Sequence, residues 1–226
     1  MKRAIVLLLA ALAAVGFAVT LYWIFYRAPM QREPLYFNQK IFYYHIGCAF
    51  MLFAAVFTCG IASLLYLKGR RGRFDDVATA GGELAVLFGS AMLVSGSIWA
   101  KVAWGHWWVW DARLTTSLLL WMVMVGYVLV RRFGGPGSER LAAGLGVFGM
   151  VDVPLIYYSV RIWRTYHPST STAPGLRGDM LIAMLFSVLL FVCVFVVLLV
   201  YRAGVARCAR LIDETREAAL DAGLIE

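Results

Sequence analysis

The chain has 226 residues, of which 62% are hydrophobic and only 15% charged, and its mean hydropathy is +0.77. Soluble domains run nearer half apolar and a quarter charged, so this composition excludes a soluble globular protein and marks an integral membrane protein. The formal net charge of +8 is then read by side of the membrane, and no nucleic-acid partner follows from it.

Apolar runs of about 20 residues, the length that crosses a bilayer, are predicted at 4–26, 42–67, 80–100, 114–131, 141–160 and 180–201. The first follows Met1-Lys2-Arg3, as a signal peptide would. It continues to about Tyr26, beyond the roughly 7–15 residues of a signal h-region, and is read as a transmembrane helix. The second run opens on Tyr43, Tyr44 and His45; the third ends just before Lys101. The fifth contains Asp152 and Pro154. Behind the sixth, residues 202–226 carry mixed charge and are expected to form a short cytosolic helix with a solvated face. Glu83, near the inner end of the third run, needs no special role. The connections are short, so neighbouring spans are antiparallel. The expected fold class is an all-α integral membrane protein: a six-transmembrane-helix bundle over 1–201, with an outward-facing Trp-rich loop and a short tail over 202–226.

Six spans put both termini on one side of the lipid bilayer. That side receives 13 of the 21 Lys and Arg residues and the other side 8. The positive-inside rule therefore places both termini in the cytoplasm. All three histidines, His45, His106 and His167, then fall on the outer surface. The four cysteines include no Cys-x-x-Cys and no Cys-x-x-Cys-His. A zinc ribbon, a thioredoxin-type motif and self-attachment of c-type haem are thereby excluded. The cysteines read as small apolar packers.

The loop between spans three and four reads Trp104-Gly-His-Trp-Trp-Val-Trp-Asp-Ala-Arg-Leu-Thr-Thr116. Tryptophan is enriched at membrane interfaces as an anchor, and Trp23, Trp99, Trp121 and Trp163 fit that role. Trp104, Trp107, Trp108 and Trp110 are denser than anchoring requires. They suit a wall for a large, flat, partly polar ligand. Neutral imidazole binds iron, zinc and copper, and haem iron takes one or two axial side chains, commonly His. His45 at a helix start and His167, which Pro168 biases towards an extended loop, can approach a planar ligand from opposite faces. Lys101, Arg113, Arg161 and Arg164 can take two carboxylates, as haem propionates require. Three isolated histidines without ligand spacing make zinc the weaker guess.

These residues resemble the CcmC family, haem-handling membrane proteins of bacterial cytochrome c maturation in the wider "WWD" group. The resemblance runs through spans two to six. It rests on Tyr44-His45, Gly96-Ser97-x-Trp99-x-Lys101, the central motif from Trp104 to Thr115, Pro154-x-Ile156-x-Tyr158-Ser159-Val160, and Trp163-x-Thr165-x-His167. It implies outward-facing axial ligands at His45 and His167, and a Trp-rich loop that binds haem b transiently. It also implies presentation of that haem to the periplasmic haem chaperone CcmE, with CcmA, CcmB and CcmD as partners in the inner membrane. His106 stands at a variable position of the motif and inherits no ligand role.

Blander readings stand beside these. Asp111 can N-cap the fourth helix, facing its positive dipole end, and support the haem-facing loop as well. Arg113 in the first turn is disfavoured by the dipole, which points to a ligand or an Asp partner for it. Asp152 is an intramembrane carboxylate, and a hydrogen bond to a neighbouring helix is the preferred reading. The function expected is haem binding and transfer, without an enzymatic step. A WWD-type cytochrome c synthase (haem lyase) and a b-type cytochrome for electron transfer remain alternatives. Synthases of this group are usually longer, and b-type bundles bury His pairs in mid-span.

Overall fold

The computed structural model describes residues 2–30, 35–135, 137–167 and 176–224. Met1, Arg32 (one of the eight outer-side basic residues), Pro168 and the last two residues of the tail lie outside them. Six α-helices carry the fold: α1 (Lys2–Tyr22), α2 (Ile41–Gly69), α3 (Gly72–Trp104), α4 (Ala112–Phe133), α5 (Glu139–Ile162) and α6 (Asp179–Asp221). Each supplies a segment long and apolar enough to cross a membrane, and no strand occurs among the described residues. The chain is thus an all-helical, multi-pass membrane protein. In hydrocarbon, helices satisfy their own backbone polar groups, which is why the apolar runs take this form.

α1 packs against α6 and leaves most of its surface exposed, as a lipid-facing helix would. It ends in a π-helical turn over Trp23–Arg27, and a 3-10 turn over Tyr36–Lys40 leads into α2. The buried Lys40 donates from Nζ to the carbonyl oxygens of Ile24, at 2.6 Å, and of Ala28. It thereby satisfies carbonyls that the end of the first span would leave open.

The core lies among α2 to α6. Leu52, Val56 and Cys59 of α2 meet Leu84 and Phe88 of α3, Leu120 and Met124 of α4, Ile156 of α5 and Phe195 of α6. Two glycines set the spacing. A Cβ on Gly81 would lie 2.8 Å from the Cys59 backbone nitrogen, and one on Gly60 would lie 2.5 Å from Met150 Cβ. α2 therefore touches α3 and α5 with little side-chain spacing, as small residues allow in membrane bundles. The four cysteines are free.

The end of the bundle that carries the α2–α3 and α4–α5 connections differs from expectation in three ways. α3 starts at Gly72 instead of near residue 80. α6 runs unbroken to Asp221, so the separate short tail helix is corrected to a continuation of the sixth span. Its 43 residues reach about 65 Å at 1.5 Å per residue, well beyond a bilayer. Glu83, expected to have no special role, pairs with Arg202 at 2.6 Å. The physical reason is shared. Asp75 is 2.8 Å from Arg131 of α4, and Asp76 is 2.8 Å from Arg210 of α6. These carboxylates look like loop residues in the sequence. Arginines from distant helices neutralise them, so α3 and α6 extend side by side past the apolar stretch.

The opposite end, which carries the histidines, is also uneven. His45, one turn inside α2, lies beside Ser95 of α3. α3 then continues nine residues to Trp104, an overhang of about 13 Å. Trp104 consequently closes a helix, where the sequence suggested a loop.

Candidate functional site

His45 is held by the backbone of α3. Its Nδ1 lies 3.1 Å from the Met92 carbonyl oxygen and 3.1 Å from Ser95 Oγ. A carbonyl can only accept, and the Ser95 hydroxyl already donates to Ala91 O at 2.7 Å. Nδ1 must therefore carry the proton, and Nε2 keeps its lone pair. Metal-bound histidines are oriented in this way, with the second ring nitrogen donating to a carbonyl or carboxylate. Gly96 makes the close approach possible: a Cβ there would sit 2.9 Å from His45 Cε1.

The Trp-rich segment begins where α3 stops. Gly105, at φ +81°, takes the left-handed conformation that ends a helix, and its N–H bonds to Lys101 O at 3.1 Å. Lys101 Nζ donates to Gly105 O at 3.0 Å, so this ammonium braces the helix end and keeps two further protons. Trp99 and Trp104 meet edge to face with centroids 5.4 Å apart, and Trp108 and Trp110 do so at 5.8 Å. Trp107 and Trp110 are 59% and 75% exposed. The indole N–H groups of Trp99 and Trp108 are buried without a hydrogen-bond partner among the described residues. Exposed indoles next to orphaned donors suit a surface that a large, partly polar molecule covers. His106 is exposed in the same segment.

Asp111 caps α4 as expected: its Oδ1 accepts from Leu114 N at 2.8 Å. The sequence did not reveal its other oxygen. Oδ2 accepts from the Thr165 hydroxyl and from Tyr166 N, the latter at 2.9 Å. Thr165 Oγ1 in turn accepts from His167 N at 3.1 Å. Tyr166 also meets Trp104, with centroids 5.9 Å apart. The segment that carries His167 is thus fastened to the Trp-rich segment.

Arg113 is part-buried, and Nη1 donates to Ile156 O at a long 3.5 Å. It lies close enough to Asp111 and His45 to act on both electrostatically. Its remaining N–H groups make no hydrogen bond among the described residues. Arg161 instead lies over the rings of Tyr157 and Tyr158, at 5.7 and 5.8 Å. Hydrogen bonds therefore link His167, Thr165 and Asp111, and Arg113 adds its charge near both Asp111 and His45. Asp152 is not part of this group. It is buried, and its Oδ2 has no partner, so the expected hydrogen bond to a neighbouring helix is not found at that atom. Among the described residues, no three His, Cys, Asp or Glu side chains converge as a metal centre.

Sequence reasoning passed over Ser95 and the Met92 carbonyl, and it named Thr165 only as part of a motif, without a role. Thr165 stands two residues before His167, the spacing at which a hydroxyl can accept from the backbone, and that signal was available. Nothing local in the sequence pairs Ser95 with His45, fifty residues away.

A family model described as "CcmC: Heme exporter protein C" matches residues 1–218. A Marchantia polymorpha protein named "Putative cytochrome c biosynthesis ccmC-like mitochondrial protein" is 32% identical over 134 residues, covering 59% of this chain and 57% of that one. "Heme exporter protein C" of Escherichia coli (strain K12) is 31% identical over 154 residues, covering 63% of this chain and 61% of its own. The protein of the same name from Bradyrhizobium diazoefficiens is 33% identical over 165 residues, covering 70% and 63%. The chain thus spans about three fifths of the length of these relatives.

Proposed function

Because the chain belongs to the CcmC (heme exporter protein C) family, we propose that it holds haem at the outer end of its helical bundle and hands it on during cytochrome c maturation. The observation that carries this reading is the His45 ring. Its Nδ1 proton is committed to the Met92 carbonyl, so Nε2 is ready to bind iron. The helix that holds it, α3, runs on to Trp104 and leads into the segment with the exposed Trp107 and Trp110.

Haem supplies an iron with axial positions and two propionates. His45 takes one axial position and His167 the other. Trp104, Trp107, Trp108 and Trp110 cover the apolar edge and exclude water from it. Arg113, with donors to spare, and Lys101 receive the propionates. Asp111 supports the loops. The haem is haem b, held without covalent bonds and only transiently. A periplasmic chaperone, CcmE, competes for the iron and takes it by ligand exchange; no thioether bond is made on this chain. CcmA, CcmB and CcmD assemble with it in the bacterial inner membrane, both termini lying in the cytoplasm.

The test is the absorption spectrum of the purified protein and of its His45→Ala and His167→Ala variants. Loss of the six-coordinate haem signal in each is expected. Variants that both keep wild-type haem content and spectrum overturn the axial assignment. Transfer of haem to added apo-chaperone, followed by its spectrum, separates handover from electron transfer.

A further inference from the structure

We infer that Asp111 is a latch: its carboxylate positions His167 as an axial ligand, and opening that contact loosens the segment that carries it. The inference rests on the proposal that His167 binds the iron, and it assigns Asp111 a part other than touching haem. Two of its acceptor sites serve the loop after α5. Oδ2 takes the Thr165 hydroxyl and the Tyr166 N–H, and Thr165 Oγ1 passes the restraint on to the His167 N–H. Oδ1 is used separately, on Leu114 N at the start of α4. One side chain therefore ties three things together: the first turn of a membrane helix, the end of the Trp-rich segment, and the backbone from residue 165 to 167.

The restraint is specific to an ionised carboxylate. Both Thr165 and Tyr166 donate to the same oxygen, and hydrogen bonds to charged acceptors are about twice as strong as neutral ones. Asparagine N-caps helices about as well as aspartate does. With its amide oxygen kept on Leu114 N, its NH2 would face the Thr165 and Tyr166 donors. Asp111→Asn therefore keeps the cap and opens the latch. Thr165→Val removes the hydroxyl link, and with it the bond to the His167 N–H, from the other side without touching α4; only the Tyr166 N–H then remains on Oδ2. His45 is fastened independently, by α3, so opening the latch should remove one axial ligand and leave the other.

The experiment has two readouts. In haem-free protein, hydrogen exchange at the Tyr166 and His167 amides is compared in wild type and Asp111→Asn. Faster exchange there, with the Leu114 amide still protected, is expected. Unchanged exchange at Tyr166 overturns the latch whatever becomes of the haem proposal. In haem-loaded protein, Asp111→Asn and Thr165→Val should both convert a low-spin six-coordinate spectrum into a high-spin one. Added imidazole should restore the low-spin form, and release of haem to apomyoglobin should speed up about 10–100-fold, the usual cost of losing an outer-shell partner. Retention of the low-spin spectrum in both variants overturns the inference while His167→Ala still reports on the ligand itself. Loss of haem that imidazole does not rescue also overturns it, because Asp111 would then merely hold up the Trp-rich segment. A His167→Ala variant identical to wild type overturns the ligand assignment and the latch together.

Discussion

His45 and His167 reach the same end of the bundle by opposite means. His45 belongs to a helix whose next turns are packed into the core, and its ring lies against the α3 backbone at Gly96, close enough that a methyl group would collide. To move it, the ring must give up the Met92 carbonyl or α2 and α3 must part. His167 lies five residues beyond the end of α5, on a segment that donates two hydrogen bonds to one carboxylate. Opening that link means breaking two hydrogen bonds to a charged acceptor, each worth about 1.5–3 kcal/mol, and water can replace both. A protein that keeps its ligand needs two firm contacts. One that must give the ligand away is better served by one firm contact and one that opens.

The largest expected effect tests that asymmetry directly. His45→Ala should reduce haem content more than His167→Ala, and by more than the roughly 10–100-fold that losing an outer-shell partner costs. Haem per protein after purification in mild detergent measures it. Equal losses, or a larger loss at His167, would break the comparison and make the loop the primary anchor. Next in size is Gly96→Ala. Its new Cβ would lie 2.9 Å from His45 Cε1, so the ring must turn away from the Met92 carbonyl. Overpacking of this kind costs about 1–3 kcal/mol. A lowered thermal midpoint together with a weakened haem spectrum is expected, whereas Gly144→Ala, with open space around it, should leave both as they were.

The six spans were legible because about 20 consecutive apolar residues have few other uses. The N-cap at Asp111 was legible for a similarly local reason: an acidic residue ahead of an apolar run faces an open helix end. What stayed hidden was every feature with one half elsewhere in the chain. Asp75 and Asp76 look like loop residues until Arg131 and Arg210 arrive from α4 and α6. Trp104 looks like part of a loop because its two neighbours, Gly105 and His106, do. The second oxygen of Asp111 finds its partners 54 and 55 residues away. The histidines were identified as a pair by the side of the membrane to which the positive-inside rule assigns them. The difference in how they are held exists only in the folded chain.

The smallest effect should come from Ser95→Ala, and its smallness is informative. Ser95 Oγ shares the His45 Nδ1 proton with the Met92 carbonyl, both at 3.1 Å. Its own proton goes to Ala91 O, so it acts purely as a second acceptor. Removing it leaves the stronger restraint in place, because the carbonyl belongs to the helix and no side-chain substitution deletes it. The cost should be about 0.5–1.5 kcal/mol, the net value of one neutral hydrogen bond. Haem content should stay near wild type, with a few-fold faster release measured by apomyoglobin capture. A backbone acceptor thus protects the firm ligand from mutation, whereas Asp111→Asn, one substitution on the other side, is expected to release its partner. If Ser95→Ala instead empties the site, the hydroxyl and not the backbone fixes the imidazole, and both histidines then hang on single side chains.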